Sequence, residues 1–461
     1  GHLTTEAVAR AEVSWPLRNR VIAMAVTARE SRDRGRPSAW SAAVDRLASD
    51  GDAFGANPRL LVASAGNVVD QQAWGEYPHA ADSDQIHDPA QAWNALTVGA
   101  STELVEITDP DAKDYAPIAQ AGGLSPFSTT SLTWKNEWPL KPDVVMEGGN
   151  AAKDSLSAVS MSSLSLLTTH HEPEKRLFTT SRATSAAAAQ TARMACQVAA
   201  RYPHLWPETI RGLVVHSAEW TDQMKSTYLP GTKKPTKNDF GQLVRRVGFG
   251  IPDLEAALWS ASNSLTLIVQ ESLHPFEKQQ GQQPRLREMH LHDLPWPREA
   301  LEALGETEVE MRVTLSYFIE PNPSARGRSR YRYESHGLRF DVRRPMESVD
   351  AFRARINAEA RDAETGTTTA ESDSAWILGK QLRHRGSLHS DRWQGAAVAL
   401  ASRDKIAVVP TVGWWRSRPS LERVDSKARY ALIVSIEAPE VETDLYAEVA
   451  AQVGIPVEVE V

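Results

Sequence analysis

The sequence predicts an α/β fold over residues 1–263, with a parallel sheet, followed by an antiparallel β-sandwich domain over residues 264–461. Short, continuous apolar runs at residues 20–27 and 60–65 are typical of strands buried in a parallel sheet. An amphipathic helical pattern at residues 37–48 separates them, which makes a strand–helix–strand unit. Apolar and polar residues alternate at residues 308–319, as in an antiparallel strand. We place the boundary near Asn263.

The composition excludes some classes of function. The formal net charge of -8 gives no general basis for nucleic-acid binding. No apolar run is long enough for a transmembrane helix, so no membrane partner is expected. The single cysteine, Cys196, falls on the small-residue face of a predicted helix, so we expect it to be buried. A lone cysteine is compatible with a reducing, cytoplasmic compartment.

The elements of the first domain are predicted in chain order. The helices are predicted at residues 4–16, 37–48, 207–217 and 254–260, with a further helix that runs to residue 201 from an N-cap at Thr184 or Ser185, and the strands at residues 20–27, 60–65, 96–98 and 140–145. Residues 68–91 and 221–243 are polar and turn-rich, and we interpret both as surface loops. The first of these loops carries His79 and His87, which are expected to be solvated. Residues 150–180 are serine-rich, and we expect an irregular insertion there.

In the second domain, strands are predicted at residues 265–269, 308–319, 338–342, 406–409 and 429–436, with one short helix at residues 297–304. Their prolines, glycines and charged turns suit an antiparallel sandwich. Trp393, Trp414 and Trp415 are interpreted as core residues. His336-Gly337 is the chain's one His-Gly dipeptide, and we do not assign it a catalytic role because it lies directly before a predicted strand.

Residues 178–201 organise the first domain, where a short polar run leads through Ala183-Thr184-Ser185 into a predicted helix. Alanines at helical spacing give this helix a face of small apolar residues, which lets it lie deep inside a domain. Thr184 or Ser185 is the expected N-cap, because a hydroxyl there accepts a bond from an unpaired N–H of the first turn. A serine at the positive end of a helix is also well placed as a nucleophile. The stretch by itself favours the cap over the nucleophile.

Five segments in a fixed order change that balance. They are residues 60–67 (LLVASAGN), 94–100 (NALTVGA), 124–128 (LSPFS), 141–148 (KPDVVMEG) and 183–185 (ATS). Read together, they resemble the subtilisin-like serine peptidases, or subtilases, over roughly residues 15–262. The match has departures: Ala183 stands in place of a glycine, Ala189 in place of a proline, and Met146-Glu147 in place of a small residue and a proline. Alanine resists some backbone angles that glycine permits.

The resemblance implies a serine endopeptidase. Ser185 would be the nucleophile, and Asn67 with the backbone N–H of Ser185 would form the oxyanion hole. Protein or peptide substrates would pair with the free edge of the strand at residues 20–27, and no cofactor or metal is implied. The residues that would contact substrate are Ala25, Val26, Thr27, Ser64, Ala65, Gly66 and Thr184.

No segment before Asn67 resembles the aspartate or histidine motif of subtilases, "D-[ST]-G" or "H-G-T". The resemblance therefore implies that both residues come from an N-terminal segment or companion chain absent from this sequence. The arginine- and alanine-rich sequence and the strand VIAMAVTA at residues 21–28 are similar to those of large bacterial subtilases. Some of those subtilases act beside an AAA-type ATPase, so such an ATPase is a further expected partner.

Two alternatives to an enzyme stay open. A non-catalytic protein with a subtilase scaffold would use the sheet edge to bind peptides or partner proteins. The absence of two catalytic residues from this sequence favours it, and retention of both Asn67 and the Thr184-Ser185 pair opposes it. An unrelated doubly wound α/β protein is the second alternative, and the ordered set of five segments argues against it.

Overall fold

The structure is a computed structural model that describes residues 1–30, 32–53, 55–260, 266–294, 296–323, 332–365, 373–437 and 457–460. Its helices are α1 His2–Ser14, α2 Ala39–Ser49, α3 Gln71–Gly75, α4 Ala183–Arg201, α5 Pro207–His216, α6 Asp222–Tyr228, α7 Lys237–Val247, α8 Leu254–Ser260, α9 Arg298–Leu304, α10 Val349–Thr365, α11 Lys380–Arg383, α12 Ala397–Ala401 and α13 Trp414–Ser417.

The strands of the first half are β1 Val21–Met24, β2 Leu60–Ser64, β3 Leu96–Thr102, β4 Ala116–Pro117, β5 Gly123–Leu124, β6 Val144–Glu147, β7 Ala151–Lys153, β8 Ala158–Ser160, β9 Leu166–Thr169, β10 Phe178–Ser181, β11 Ala218–Glu219 and β12 Ile251–Pro252. Those of the second half are β13 Thr266–Leu273, β14 Phe276–Glu277, β15 Arg285–Leu286, β16 Glu288–Asp293, β17 Glu308–Tyr317, β18 Gly337–Val342, β19 Leu388–Ala396, β20 Lys405–Thr411, β21 Ala428–Glu437 and β22 Val457–Glu460.

The chain divides into two compact units. The first comprises residues 1–48, 58–204 and 217–254, and the second comprises residues 49–57, 205–216 and 255–461. Helix α5 therefore belongs to the second unit, although it follows α4 directly in the chain. Asn263, where the sequence suggests a boundary, lies outside the described residues.

A mixed sheet forms the centre of the first unit. β1, β2, β3 and β6 run parallel in that order, and β5 adds a short antiparallel pairing to β3. Every residue of β2 and β3 is buried, as expected for the middle of a parallel sheet. Helix α4 packs on this sheet with its small residues inward, including Ala188, Ala192 and Ala195. The predicted α/β fold is confirmed.

β1 differs from its neighbours in exposure. Three of its residues are half-buried and Ala23 is exposed. Within the described part of the chain its one strand partner is β2, so its other edge is open. An unpaired strand edge presents N–H and C=O groups that can bind an added strand. Among the described strands, β1 therefore forms one edge of the central sheet.

Several local predictions are wrong. Cys196 is exposed, because it lies one position off the face of α4 that meets the sheet. Residues 221–243 carry α6 and the first part of α7, each capped by a threonine, rather than a plain loop. Residues 150–180 form two short hairpins, β7–β8 and β9–β10, rather than an irregular insertion. Residues 86–91, the last part of the predicted surface loop at residues 68–91, are buried.

Two four-stranded antiparallel sheets build the second unit, as the sequence predicts. One has the order β13-β21-β17-β19 and the other the order β18-β20-β16-β22. Trp393, Trp414 and Trp415 are buried, in keeping with the core role expected of them. Helix α10, which the sequence analysis does not predict, packs Phe352 and Ile356 against the second sheet.

The core of the second unit also contains buried charge. Arg211 of α5 is fully buried and donates hydrogen bonds to Tyr317 O (2.7 Å) and Ser387 O (2.6 Å). Arg383 and Asp391 form an ion pair at 3.2 Å with both side chains fully buried. Removing one partner of such a pair leaves an uncompensated buried charge, so these contacts fix how the sheet and its helices pack.

Five histidines with lowered pKa values are expected to make the second unit sensitive to acid. Burial lowers the pKa of each from 6.5, to about 4 at His292 and about 3 at His336 and His389; the set is His216, His292, His336, His384 and His389. An unfolded chain protonates these rings near pH 6.5, whereas the folded unit does not. The free energy of unfolding therefore falls as the pH drops below 6.5, by on the order of 1–2 kcal/mol for each ring at pH 5.

Three buried carboxyl groups of the same unit, those of Glu208, Glu334 and Asp391, act in the opposite direction because burial raises their pKa. We expect the histidines to dominate, since they are more numerous. Hydrogen exchange corrected for the intrinsic effect of pH should be faster at pH 5 than at pH 7 in β17 and β21. Peptides from β2 and β3 serve as the internal control, and unchanged protection in β17 and β21 would contradict the prediction.

Among the described residues, no helix is long and apolar enough to cross a membrane.

Candidate functional site

Ser185 lies in the first turn of α4, as the sequence predicts, and its side chain is half-buried. The expected N-cap is wrong: the helix begins at Ala183, Arg182 occupies the cap position, and Arg182 makes no side-chain cap bond. Ser185 Oγ donates instead to Ala25 O at 3.4 Å, across from the end of β1. The serine hydroxyl thus lies beside the segment expected to bind substrate backbone.

Thr184 joins the start of α4 to the turn that follows β2. Its Oγ1 donates to Asn67 Oδ1 at 2.7 Å and accepts from Gly66 N at 3.2 Å. The backbone N–H of Thr184 also donates to Asn67 Oδ1, at 3.0 Å. A backbone N–H can only donate, so the amide oxygen of Asn67 must face it and the Nδ2 amino group must point away from it. The turn and the nucleophile segment are held as one unit.

Ala183 has φ +66°, in the left-handed region that glycine occupies freely and alanine resists. An alanine held there costs about 1–2 kcal/mol. Its N–H donates to Gly148 O at 2.6 Å, and Gly148 leaves no room for a side chain because a Cβ there would lie 2.5 Å from that of Ala100. This backbone tie holds Ala183 in the strained angle directly before Thr184 and Ser185.

The two remaining groups of predicted substrate-binding residues lie on either side of Ser185. Ala25 and Val26 are exposed and Thr27 is half-buried, just beyond the end of β1. Ser64, Ala65 and Gly66 are buried at the end of β2. The Thr129 hydroxyl lies 3.0 Å from Ala65 O, which helps to fix this strand end. The structure thus brings together all the predicted site residues in one unit.

Two other sequence motifs contact the strands and turns that carry the site residues. In the LSPFS segment, Phe127 O accepts from Val68 N at 2.9 Å, directly after Asn67. In the KPD segment, the buried Lys141 and Asp143 pair at 2.6 Å, and Asp143 Oδ2 also accepts from Thr97 N at 2.7 Å. These contacts hold β3 against the loop before β6, so both motifs are structural.

His87 is a residue that the sequence analysis places wrongly. His79 is exposed, as expected, but His87 is only 3% exposed, and burial lowers its pKa to about 4. Its Nδ1 lies 3.2 Å from Thr27 Oγ1, and its backbone N–H donates to Ala65 O at 2.8 Å. The short linker between His87 and the buried strand β3 was the signal that could have revealed its burial.

One group of side chains within the described residues has the composition of a metal site. His170, His171 and Glu172 lie at the tip of the β9–β10 hairpin, with ligand atoms within 4.8 Å of one another. His170 Nδ1 already accepts a bond from Glu172 N, and His171 is largely exposed. The hydrogen bonds described above for Ser185, Thr184 and Asn67 do not involve these three residues.

Two comparisons with known proteins bear on the family of this chain. The family model described as "Subtilase family" matches residues 1–250. An uncharacterized protein, y4bN, of Sinorhizobium fredii (strain NBRC 101917 / NGR234) is 28% identical over 347 residues, which cover 71% of this chain and 72% of that protein.

Two solved structures are similar to parts of the chain. A structure titled as proteases from Pseudoalteromonas arctica PAMC 21717 is 17% identical, with a TM-score of 0.30 over 52% of this chain. MycP1 from Mycobacterium smegmatis is 19% identical, with a TM-score of 0.22 over 43% of this chain. The chain spans 51% and 41% of these two proteins, respectively.

Proposed function

Because this chain belongs to the subtilase family, we propose that its first unit hydrolyses peptide bonds, with Ser185 as the nucleophile that forms an acyl-enzyme. The observation that carries the proposal is the set of hydrogen bonds joining Thr184 to Gly66 and Asn67. A neutral amide held rigidly beside a serine at a helix N-terminus suits a developing oxyanion. Packing alone does not require this arrangement.

The mechanism assigns each group a step. Extended peptide substrate pairs with the segment Ala25–Val26–Thr27, which places its scissile carbonyl before Ser185. Ser185 Oγ attacks the carbonyl carbon, while Asn67 Nδ2 and the backbone N–H of Ser185 donate to the oxygen as it becomes negative. The C–N bond then breaks, the amine leaves with a proton, and water releases the acyl group.

A serine without a general base is a poor nucleophile. The hydrogen bond that the structure gives Ser185 Oγ goes to a carbonyl oxygen, Ala25 O, which cannot take the proton away. We propose that the base and its orienting carboxylate lie on a polypeptide segment whose strands pair with the open edge of β1. The partial exposure of β1, beside the fully buried β2 and β3, supports this position.

This proposal predicts that the protein binds a polypeptide carrying an "H-G-T" and a "D-[ST]-G" segment. Denaturing mass spectrometry with peptide mapping of the purified active protein should find both motifs. They should lie either on a segment joined to the 461-residue chain or on a second polypeptide bound to it. Adding the segment to the 461-residue chain should generate hydrolysis of a casein substrate. Ala23→Glu, which places a charge on the exposed position of β1, should weaken this complementation at least about tenfold.

The matched control is Ala200→Glu, at an exposed alanine near the end of α4 and outside the site. It should leave complementation unchanged. A 461-residue chain that hydrolyses casein alone would contradict the assignment of the base to another segment. A chain that gains no activity with the segment, yet binds peptides, would favour the non-catalytic scaffold.

A further inference from the structure

The side chain of His87 touches both segments that the proposed mechanism places around the substrate. Its Nδ1 lies 3.2 Å from Thr27 Oγ1, on the segment after β1. Its ring lies against Gly66, so closely that a Cβ added to this glycine would be 2.2 Å from His87 Cγ. The imidazole therefore fills the space between the end of β1 and the end of β2.

In the proposed mechanism, the substrate residue whose carbonyl is attacked lies next to the space that the His87 ring fills. Ser185 Oγ is 3.4 Å from Ala25 O, and Asn67 directly follows Gly66. The residue whose carbonyl is attacked must therefore lie between Ala25 on one side and Gly66 on the other. Successive side chains of an extended peptide point in opposite directions, so this side chain either faces solvent or enters between the two segments.

We propose that His87 is a specificity-determining residue, whose ring closes this space and restricts the residue on the amino side of the scissile bond to a small side chain. The inference rests on the proposed function and deepens it. A glycine, alanine or serine fits in front of the ring, whereas a phenylalanine or leucine requires the ring to move. Overpacking of this kind is unfavourable, so a peptide with a large residue there should bind at least about tenfold more weakly.

The backbone around His87 is anchored, which prevents the ring from withdrawing with its loop. The backbone N–H of Asp88 donates to Ala28 O at 3.0 Å, and that of Ala28 donates to Asp88 O at 2.7 Å. The Asp88 carboxylate accepts from the hydroxyl groups of Ser38 and Ser41, each at 2.6 Å. The loop is thus tied to the segment after β1 and to the start of α2.

The ring is uncharged at neutral pH. Burial has the largest effect on its pKa, which falls to about 4; nearby Arg32 and Arg29 lower it further, whereas Asp84 and Glu30 raise it. An uncharged ring offers no ion pair to a substrate side chain. We therefore expect His87 to discriminate between substrate side chains by their size and not by their charge.

Binding of short peptides tests this inference in the 461-residue chain without any need for catalysis. The probes are two acetylated tetrapeptides that differ only at the C-terminal residue, alanine or phenylalanine, with affinity measured by calorimetry. The chain should bind the alanine peptide at least about tenfold more tightly. His87→Ala should improve binding of the phenylalanine peptide by about 10- to 100-fold, because the ring's volume becomes available. His87→Gln should keep the alanine preference.

The control is His79→Ala, which removes the exposed histidine of the same segment and should leave the ratio unchanged. Equal binding of both peptides by the unsubstituted chain would overturn the role of His87, and this measurement needs no variant to fold. A folded His87→Ala variant with an unchanged ratio would also overturn it. Failure of the unsubstituted chain to bind either peptide would instead refute the peptide-binding edge, and with it both proposals.

Discussion

Ser185→Ala is expected to abolish labelling by a fluorophosphonate probe in the protein complemented with its aspartate- and histidine-bearing segment. The probe reacts with a serine whose proton is removed by a base, and alanine offers no atom to react. Turnover of a peptide substrate should fall by at least about four orders of magnitude. Intact-mass measurement of the labelled protein, with peptide mapping of the modified residue, checks this result.

Ser181→Ala is the matched control, because Ser181 is half-buried in β10 only a few residues before the helix. It should retain labelling. The 461-residue chain without the added segment should remain unlabelled, since Ser185 Oγ then has no base. Labelling that survives Ser185→Ala would remove this serine from the mechanism.

Asn67→Ala is expected to lower the turnover number of the complemented enzyme by roughly two to three orders of magnitude, the size known for loss of one oxyanion donor in subtilisin. The substitution removes the acceptor of two hydrogen bonds from the buried Thr184, so the thermal midpoint should fall by a few degrees while the fold is kept. Steady-state kinetics should show the loss in kcat rather than in KM, because the charge on the oxygen develops only in the transition state.

Asn238→Ala provides the control, at an exposed asparagine of α7 remote in sequence from the site residues. Its kcat should match that of the unsubstituted protein. A folded Asn67→Ala variant with near-normal kcat would show that Asn67 only shapes the turn after β2.

Elements with a local signal could be predicted from the amino-acid sequence alone. The buried strand β2 follows from an unbroken apolar run, β17 from strict alternation, and α4 from alanines at helical spacing. The five motif segments also identified the family, because each is a local sequence pattern and all five occur in the order found in subtilases. These features depend on residues that are close together in the chain, so a sequence pattern is enough to predict them.

Contacts between side chains that are distant in sequence became visible only in the folded protein. The sequence pattern favours Thr184 or Ser185 as the helix cap, but the helix begins at Ala183 and the Thr184 hydroxyl bonds the Gly66–Asn67 turn instead. His87 reads as a solvated loop residue, yet its backbone N–H is anchored to Ala65 O and its ring fills the space beside Gly66. The burial of a side chain depends on the packing of the whole unit. A local sequence pattern therefore does not predict which polar side chain is buried between the ends of two strands.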